Sequence, residues 1–457
     1  MKKILKTVLT LSCMTALFAT FGLAACKKEN PCEHVYDNDC DTVCNICTEE
    51  RTITHSWKDA TCTTPKTCSV CGETEGEALG YTAEDDDGDC TTAVYCLVCD
   101  EIAVEAKEDH TDLDGDGYCD DCQTILFDYI YDQGINTYMV WTLEGLYAWM
   151  TAANTAVNGE VHLVLMRDIV MPTEMKFDLN EDGTNESNWK PLMDYHTVVK
   201  GNGHKITGLV CIERENYHAG FFGYLAENGE ITDLHLENVY VESVEGGYAG
   251  GIVGACLSSV IKNCSVSGTV KANGYVGGII GYVDLGSEII GCHNAADVQS
   301  SENSAGGITG VACSENTKIL ACSNVGNIQG VGFTGGIARE ISDAVVLSCY
   351  STGTVQSSYD ESLGMSCVGG IAGWAITENI FFANYWNTSG DSPTYGNGFE
   401  EDDEGCLKVD GETRTWESAL TTMNAALAEY GGYCYVLNTD EATKATKPLI
   451  FVEKSEA

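Results

Sequence analysis

The chain has 457 residues, 44% of them hydrophobic, which is enough for two or three domains with a sizeable core. Its 69 acidic residues against 24 basic ones give a net charge of −45. Because a polyanion is repelled by nucleic acid and by anionic lipid, this charge excludes partners of both kinds that bind electrostatically. The 49 glycines against only 6 prolines are typical of many tight turns in a β-rich fold.

The N terminus carries an export signal. Three lysines among the first six residues precede an apolar run over 8–25, and the run ends on the letters LAAC with Cys26. This pattern resembles the signal peptide of bacterial lipoproteins. The resemblance implies a signal peptide over 1–25, diacylation of Cys26, a lipid-anchored linker over 26–31 and an extracytoplasmic, surface-exposed location on the bacterial cell membrane. A plain secretory signal with a chance cysteine is the alternative.

A cysteine-rich repeat array covers 32–125. It contains four Cys-x-x-Cys pairs, two of them preceded by both a histidine and a further cysteine. The two complete units comprise His34, Cys40, Cys44 and Cys47, then His55, Cys62, Cys68 and Cys71. The third unit has Tyr81 in place of the histidine, and the fourth lacks the leading cysteine.

Two interpretations of the array stay open. Three thiolates and one imidazole complete a tetrahedral zinc shell, so each complete unit is a candidate zinc site. Disulfides are the alternative, because small loop-rich modules outside the cytoplasm commonly use them. A unit with three cysteines leaves one thiol over, so disulfides would have to join different units.

Acidic residues alternate in the last unit, in the segment HTDLDGDGYCDDC. Counted as a calcium loop from Asp112, the ligand positions fall on Asp112, Asp114, Asp116 and Asp120, but Gln123 stands where a bidentate glutamate is needed. The segment resembles the calcium loops of secreted bacterial repeats, which implies calcium at these four aspartates. A solvated acidic turn is the alternative.

A second repeat, with a period of about 28 residues, runs through the middle of the chain. Paired glycines followed by isoleucine recur at Ile252, Ile279, Ile308, Ile337 and Ile371, and cysteines recur at Cys264, Cys292, Cys322 and Cys349. Three short apolar runs per period predict three strands per turn of a β-solenoid. The four cysteines are then a structural ladder inside the coils, and Cys256, which lies off that ladder, is the candidate for a reactive thiol.

The repeated stretch GGIVG…IKNCSVSGTV resembles the GLUG-motif repeat of bacterial surface proteins. The segments WKPLMDYHTVVKGNGHKITGL before it and NYWNTSG after it extend the resemblance over about 140–453. The resemblance implies an all-β protein with a right-handed parallel β-helix over 126–395, similar to the pectin-lyase architecture, and a C-terminal cap over 396–457. It also implies an adhesin-like or wall-associated surface protein.

Short helices are predicted near both ends of the solenoid. Thr142 caps an amphipathic segment over 142–154, and a second helical segment over 416–431 ends at Gly431. The letters KPLIFVE predict a final strand.

No catalytic set emerges from the sequence, since acids and bases are sparse over 245–390 and fall at different phases of the repeat. We therefore expect a surface-anchored protein with an adhesin-like, ligand-binding or structural role in the envelope that is not an enzyme. A carbohydrate-active enzyme, either a polysaccharide lyase or a glycoside hydrolase, is the alternative. The expected partners are the membrane, through the lipid, and glycans or host or envelope proteins, but not nucleic acid. Zn and Ca are the expected cofactors, and no organic cofactor is expected.

Overall fold

The computed structural model describes residues 33–114, 116–156, 160–178, 183–193, 196–214, 218–359, 366–376, 380–387 and 405–453. The predicted lipidation site, Cys26, lies outside these residues. The chain divides into two compact units, 1–110 and 111–457. Neither of the two α-helices found among the described residues is long and apolar enough to cross a membrane.

The first unit has little regular structure. Trp57–Lys58, Lys66–Cys68 and Thr74–Glu75 form a three-stranded antiparallel sheet, and Val94–Tyr95 pairs with Ile102–Val104. Among its described residues, the buried hydrophobic side chains are Val94 and the cysteines Cys44, Cys62, Cys68 and Cys96. A core of this size and composition cannot stabilise a unit of about 80 residues by hydrophobic burial alone.

The second unit is a parallel β-solenoid of about 7 turns, as the sequence predicts. Four sheets, here named A to D, run along it. Sheet A contains Tyr129–Asp132, Thr137–Val140, His162–Leu165, Val198–Lys200, Glu230–Thr232, Val260–Lys262, Glu288–Ile290, Lys318–Leu320, Val345–Leu347 and Ile380–Phe382. Sheet B contains Ile169–Val170, Lys205–Thr207, Val210–Glu213, His235–Ser243, Ser265–Ala272, His293–Ser300, Ser323–Asn324, Ile328–Val331, Tyr350–Ser351, Val355–Ser358, Asn384–Trp386 and Cys406–Lys408.

Sheets C and D are shorter. Sheet C contains His218–Ala219, Tyr248–Gly250, Val276–Gly277, Ala305–Gly306, Phe333–Gly335 and Cys367–Gly369. Sheet D contains Phe222–Leu225, Val253–Leu257, Ile280–Asp284, Thr309–Ala312, Ala338–Ser342 and Ala372–Ile376. The coils from Val198–Lys200 to Ala372–Ile376 visit A, B, C and D in turn, so these coils have four strands per turn where the sequence predicts three.

The paired glycines create this additional corner between sheets C and D. A Cβ atom on Gly277 would collide with the carbonyl oxygen of Ile280 and would lie 2.6 Å from the Cα of Thr309 on the next coil. Only glycine therefore lets the chain bend so tightly against itself and its neighbour. The isoleucine that follows each pair enters the core, as Ile279 and Ile308 do at 0% exposure.

The cysteines of the second repeat stack inside the solenoid, where Cys264, Cys292, Cys322 and Cys349 are at most 1% exposed. Each thiol donates to a main-chain carbonyl of the preceding coil, as Cys292 Sγ does to Ile261 at 3.5 Å. The prediction that Cys256 is a reactive thiol is wrong. It is fully buried in register with Val283, and burial raises its pKa to about 12.

Both predicted helices are confirmed. Helix α1, Leu143–Thr155, begins after Thr142, whose hydroxyl accepts from the Gly145 N–H. Helix α2, Trp416–Leu427, continues into the 3-10 turn Ala428–Tyr430, and Gly431 follows with φ +97°.

The helices cover different parts of the solenoid. Helix α1 packs on the first coils, where the Trp149 ring lies 6.0 Å from that of Phe221. Helix α2 packs against the flank of later coils, together with the antiparallel hairpin of Tyr433–Leu437 and Leu449–Glu453. The second hairpin strand is the one predicted from KPLIFVE. The Tyr350 hydroxyl donates to the Leu449 carbonyl at 2.7 Å and fixes the hairpin on this flank.

Candidate metal centres and a polar groove

The Cys-x-x-Cys pairs of the first unit lie on a common tight turn. In the second pair the Cys68 N–H donates to the Glu73 carbonyl, and the Gly72 N–H donates back to Cys68. The residue after each pair has a positive φ, +59° at Thr48, +77° at Gly72 and +56° at Asp100. This geometry aims both sulfurs of a pair at one point, as a metal ion requires.

One cluster that lies entirely within the first unit holds four ligand atoms. Cys40, His55, Cys68 and Cys71 bring three sulfurs and an imidazole nitrogen within 4.8 Å of one another. The Cys40 and Cys68 Sγ atoms are 3.5 Å apart, and Cys71 Sγ is 3.4 Å from His55 Nδ1. A tetrahedral zinc ion with bonds of about 2.3 Å to sulfur and about 2.0 Å to nitrogen has edges of about 3.8 and about 3.5 Å. The cluster therefore has the dimensions of a Cys3His zinc shell.

Two further clusters hold three ligand atoms each among the described residues. They are His34 with Cys44 and Cys47, and Cys62 with Cys96 and Cys99. Cys47 Sγ lies 3.4 Å from His34 Nδ1, and the Cys62 and Cys96 Sγ atoms are 3.6 Å apart. Cys90 and His110 show the same separation of 3.4 Å between Sγ and Nδ1.

The structure groups these ligands differently from the sequence repeat. The predicted set of His34, Cys40, Cys44 and Cys47 is wrong in one member, because Cys40 lies with His55. The predicted set of His55, Cys62, Cys68 and Cys71 is wrong in the same way, because Cys62 lies with Cys96 and Cys99. In both cases the leading cysteine reaches the ligands of the following repeat.

Carboxylates hold the outer nitrogen of each histidine. His55 Nε2 lies 3.2 Å from Glu73, and His34 Nε2 lies 3.5 Å from Glu49. His110 Nε2 lies 3.5 Å from Asp89. A metal-bound histidine commonly donates its second N–H to a carboxylate, which fixes its tautomer and leaves Nδ1 as the ligand. All three histidines are thus prepared to bind a cation through Nδ1.

Main-chain N–H groups lower the pKa of one thiol in each of two clusters. Main-chain N–H groups of Cys71 and Val70 lower the pKa of Cys68 to about 5. Despite desolvation, the N–H groups of Cys47 and Ile46 lower the pKa of Cys44 to about 6. The turn therefore stabilises the thiolate, which is the form that binds metals.

The geometry favours coordination over disulfides. No disulfide bond joins any two of the described cysteines. The Sγ–Sγ distances of 3.5 and 3.6 Å exceed a disulfide bond of about 2.05 Å and approach a tetrahedral edge. The Cys and His clusters of the first unit can therefore bind metal.

The acidic loop is partly assembled. Carboxylates of Asp112, Asp114 and Asp116 lie within 4.8 Å of one another. Asp120 is not in that group, and its carboxylate accepts from the Leu113 N–H at 2.9 Å, which holds the loop closed. The calcium site remains a prediction.

A polar groove of about 320 Å³ lies on the outer face of sheet B. Its lining is Glu242, Lys271, Ala272, Asn273, Gln299, Ser300, Ser301 and Gln329. Four of these side chains are in register on successive coils, in the order Glu242, Lys271, Gln299 and Gln329. Neighbouring parallel strands are about 4.8 Å apart, so the row offers one polar group at each such step along the solenoid.

Glu242 and Lys271, at the first end of the groove, lie beside a phenol that is not part of the groove lining. The Tyr240 hydroxyl donates to Glu242 Oε2 at 2.7 Å, and Lys271 Nζ lies 5.4 Å from the centre of the Tyr240 ring. Desolvation and the bond to Glu242 raise the pKa of Tyr240 to about 12. The phenol is therefore protonated at neutral pH and able to donate.

Sequence reasoning missed two parts of these sites. The glutamates Glu49, Glu73 and Glu101 each stand two residues after a Cys-x-x-Cys pair, so the motif Cys-x-x-Cys-x-Glu was available as a signal. The groove was missed because glutamine and asparagine carry no motif, and their alignment depends on the exact coil register.

The comparisons with known proteins cover limited parts of the chain. No protein-family model matches it. The chain is 29% identical over 117 residues to "Halomucin" of Haloquadratum walsbyi, which is 23% of this chain and 1% of that protein. It is 35% identical over 85 residues to a "Putative Gly-rich membrane protein" of Evansella cellulosilytica, which is 17% of this chain and 10% of that protein. The chain thus spans only a small fraction of both relatives.

One solved structure is similar to the chain. It is the "putative immunoglobulin A1 protease" from Bacteroides ovatus, with a TM-score of 0.49 and 20% identity, covering 69% of this chain and 92% of that one. The sequence-based prediction that the chain is not an enzyme is corrected here, because this neighbour's name is that of an enzyme.

Proposed function

We propose that the chain is a surface lipoprotein of the GLUG-motif type whose solenoid binds polysaccharide chains in the groove on sheet B. A lipid on Cys26 would hold it to the bacterial membrane. The observation that carries the proposal is the row of Glu242, Lys271, Gln299 and Gln329 along four successive coils.

The chemistry of the row suits a polymer rich in hydroxyl groups. Each amide of Gln299 and Gln329 can both donate and accept, as a sugar hydroxyl can. Asn273 and Ser301 add further polar groups at the same wall, joined by a hydrogen bond of 2.7 Å. Because the row follows the solenoid axis, successive sugar units of an extended chain can meet successive coils.

Zinc is the cofactor that we propose for the first unit. The Cys3His set around Cys40 supports it, since soft thiolate ligands with tetrahedral spacing select zinc over harder cations. Calcium at Asp112, Asp114, Asp116 and Asp120 is the corresponding proposal for the acidic loop, supported by its oxygen ligands. Nucleic acid is not among the proposed partners, because the net charge of −45 opposes it.

Glycan binding is tested by applying the purified chain to immobilised plant, bacterial and host polysaccharides. We expect retention on at least one glycan class, and loss of retention in the double variant Gln299→Ala/Gln329→Ala. Glu230→Gln, an exposed substitution on sheet A, is the matched control and should bind as the wild type does. Absence of retention on every glycan, or equal retention of the double variant and the wild type, would reject the groove.

Carbohydrate cleavage is the second candidate, favoured by the Tyr240–Glu242 hydrogen bond beside Lys271. A carboxylate, a protonated phenol and an ammonium group are the types of residue used in general acid–base catalysis. The test measures products released from pectin, polygalacturonate and host glycans. Cleavage that Glu242→Gln and Tyr240→Phe both abolish would establish it, and cleavage unchanged in these variants would exclude this site.

A further inference from the structure

The Cys62 cluster differs from its neighbour in one ligand. Both clusters combine a leading cysteine with the Cys-x-x-Cys pair of the following repeat, and the His55 position of the first corresponds to Tyr81 in the second. Main-chain bonds establish the correspondence. The Ser69 N–H donates to the carbonyl of Ser56, which follows His55, and the Leu97 N–H donates to that of Thr82, which follows Tyr81.

The phenol of Tyr81 faces the outer carboxylate. Its hydroxyl lies 3.3 Å from Glu101 Oε2, just as His55 Nε2 lies 3.2 Å from Glu73 Oε2. The two glutamates are equivalent, because their carbonyls accept from Cys96 and Cys68. The Tyr81 hydroxyl therefore occupies the place of Nε2, and the ring offers no donor atom where Nδ1 of a histidine would bind the metal.

Three sulfurs remain for the metal. Among the described residues, no fourth His, Asp, Glu or Cys ligand atom lies within 4.8 Å of the Sγ atoms of Cys62, Cys96 and Cys99. Cys99 and Tyr81 are exposed on this side, so small molecules can reach the fourth position.

We propose that Cys62, Cys96 and Cys99 form a three-thiolate zinc site with one coordination position open to an exchangeable small ligand, such as water or an anion. The proposal rests on the proposed zinc binding of the array. A closed zinc site with four protein ligands has a structural role, whereas an open site binds exogenous ligands. The Cys40 cluster is then a closed structural zinc site. The Cys62 cluster is the open site, where metal and external ligands exchange.

The experiment uses the full chain, reduced and loaded with Co²⁺ without oxygen, so that visible spectra report the ligands. Azide is titrated into the wild type and into Tyr81→His, which supplies the missing imidazole. We expect azide to shift the cobalt bands of the wild type more than those of Tyr81→His, because the His34 cluster, which also has three ligand atoms among the described residues, contributes equally to both. Chelator competition with the zinc-loaded protein should show a fast-released ion in the wild type whose release Tyr81→His retards at least about tenfold.

Two further variants assign the responding ion. Cys62→Ser should abolish the part of the azide response and of the fast release that Tyr81→His suppresses, while Cys40→Ser should retain that part. Identical azide responses and release rates in the wild type and Tyr81→His would overturn the open site. A wild-type chain that binds no Co²⁺ or Zn²⁺ at all would instead reject zinc binding by the whole array.

Discussion

Cys40 Sγ lies 3.5 Å from Cys68 Sγ, although 28 residues separate the two and each belongs to a different repeat. Because the first unit buries little besides thiols, a metal held by both residues would connect its repeats more strongly than any hydrophobic contact there.

Replacement of Cys40 by serine should remove one zinc ion and loosen the junction between the first two repeats. The ion loses a thiolate that no neighbouring side chain replaces, so its affinity should fall steeply. Metal analysis of the purified chain should show one equivalent less than the wild type, and proteolysis within 33–71 should accelerate. Cys434→Ser, in the C-terminal hairpin, is the control. Unchanged metal content in Cys40→Ser would contradict metal binding by Cys40.

Substitution of the glycine at the corner between sheets C and D by alanine should destabilise the solenoid. Gly277→Ala places a Cβ against Ile280 and Thr309, so we expect the free energy of unfolding to fall by about 3 kcal/mol. Gly246→Ala is the matched control, because that site has φ +74° and open space, which costs about 1 kcal/mol. Thermal and urea denaturation measure both. Equal losses would show that backbone conformation, and not the close approach of coils, demands the glycine.

Acid should destabilise the solenoid through His293. Desolvation, together with the nearby charges of Lys447 and His235, lowers its pKa to about 3, below the ordinary value of about 6.5. The unfolded chain therefore takes up the proton first as pH falls, and stability is lost from pH 6.5 downwards. Between pH 6.5 and 5 this one group should cost about 2 kcal/mol.

The variant His293→Gln isolates this contribution. Its free energy of unfolding should vary less with pH over the same interval, while the exposed control His196→Gln should keep the wild-type slope. Equal slopes in all three proteins would mean that His293 titrates alike in the folded and unfolded chains.

Lipidation should depend on Cys26. In cells given labelled palmitate, the wild type should become labelled and partition with membranes, because an acylated chain carries its own hydrophobic anchor. Cys26→Ser should lose the label and appear in the soluble fraction. A wild-type chain that takes up no label would leave only the plain secretory signal, and labelling that persists in the variant would show that the lipid is attached to another residue.

The solenoid was predictable because its signals are local. Each coil repeats a glycine pair and an isoleucine such as Ile279, and that period alone fixes which residues stack. The helix after Thr142 was predictable for the same reason, since a capping residue and an amphipathic stretch lie within one segment.

The partition of the metal ligands was not predictable in the same way. Cys40 and Cys62 stand nearer in sequence to the wrong partners, and only the path of the turns carries them to the next repeat. Likewise, the sequence indicates only that Tyr81 replaces a histidine ligand. Its hydrogen bond to Glu101 shows that it keeps the carboxylate contact that a histidine makes through Nε2, but it has no atom in place of the metal-binding Nδ1.

The sharing of ligands between neighbouring repeats has a consequence for biogenesis. Since the chain is made from its N terminus, Cys40 is exposed before Cys68 and Cys71 exist, and Cys62 before Cys96 and Cys99. The leading cysteine of a repeat cannot meet the other ligands of its cluster until the following repeat has been synthesised. Metal binding to these clusters would therefore trail synthesis by one repeat, and a chain interrupted between Cys62 and Cys68 would present Cys40 and Cys62 without the other cysteines of their clusters.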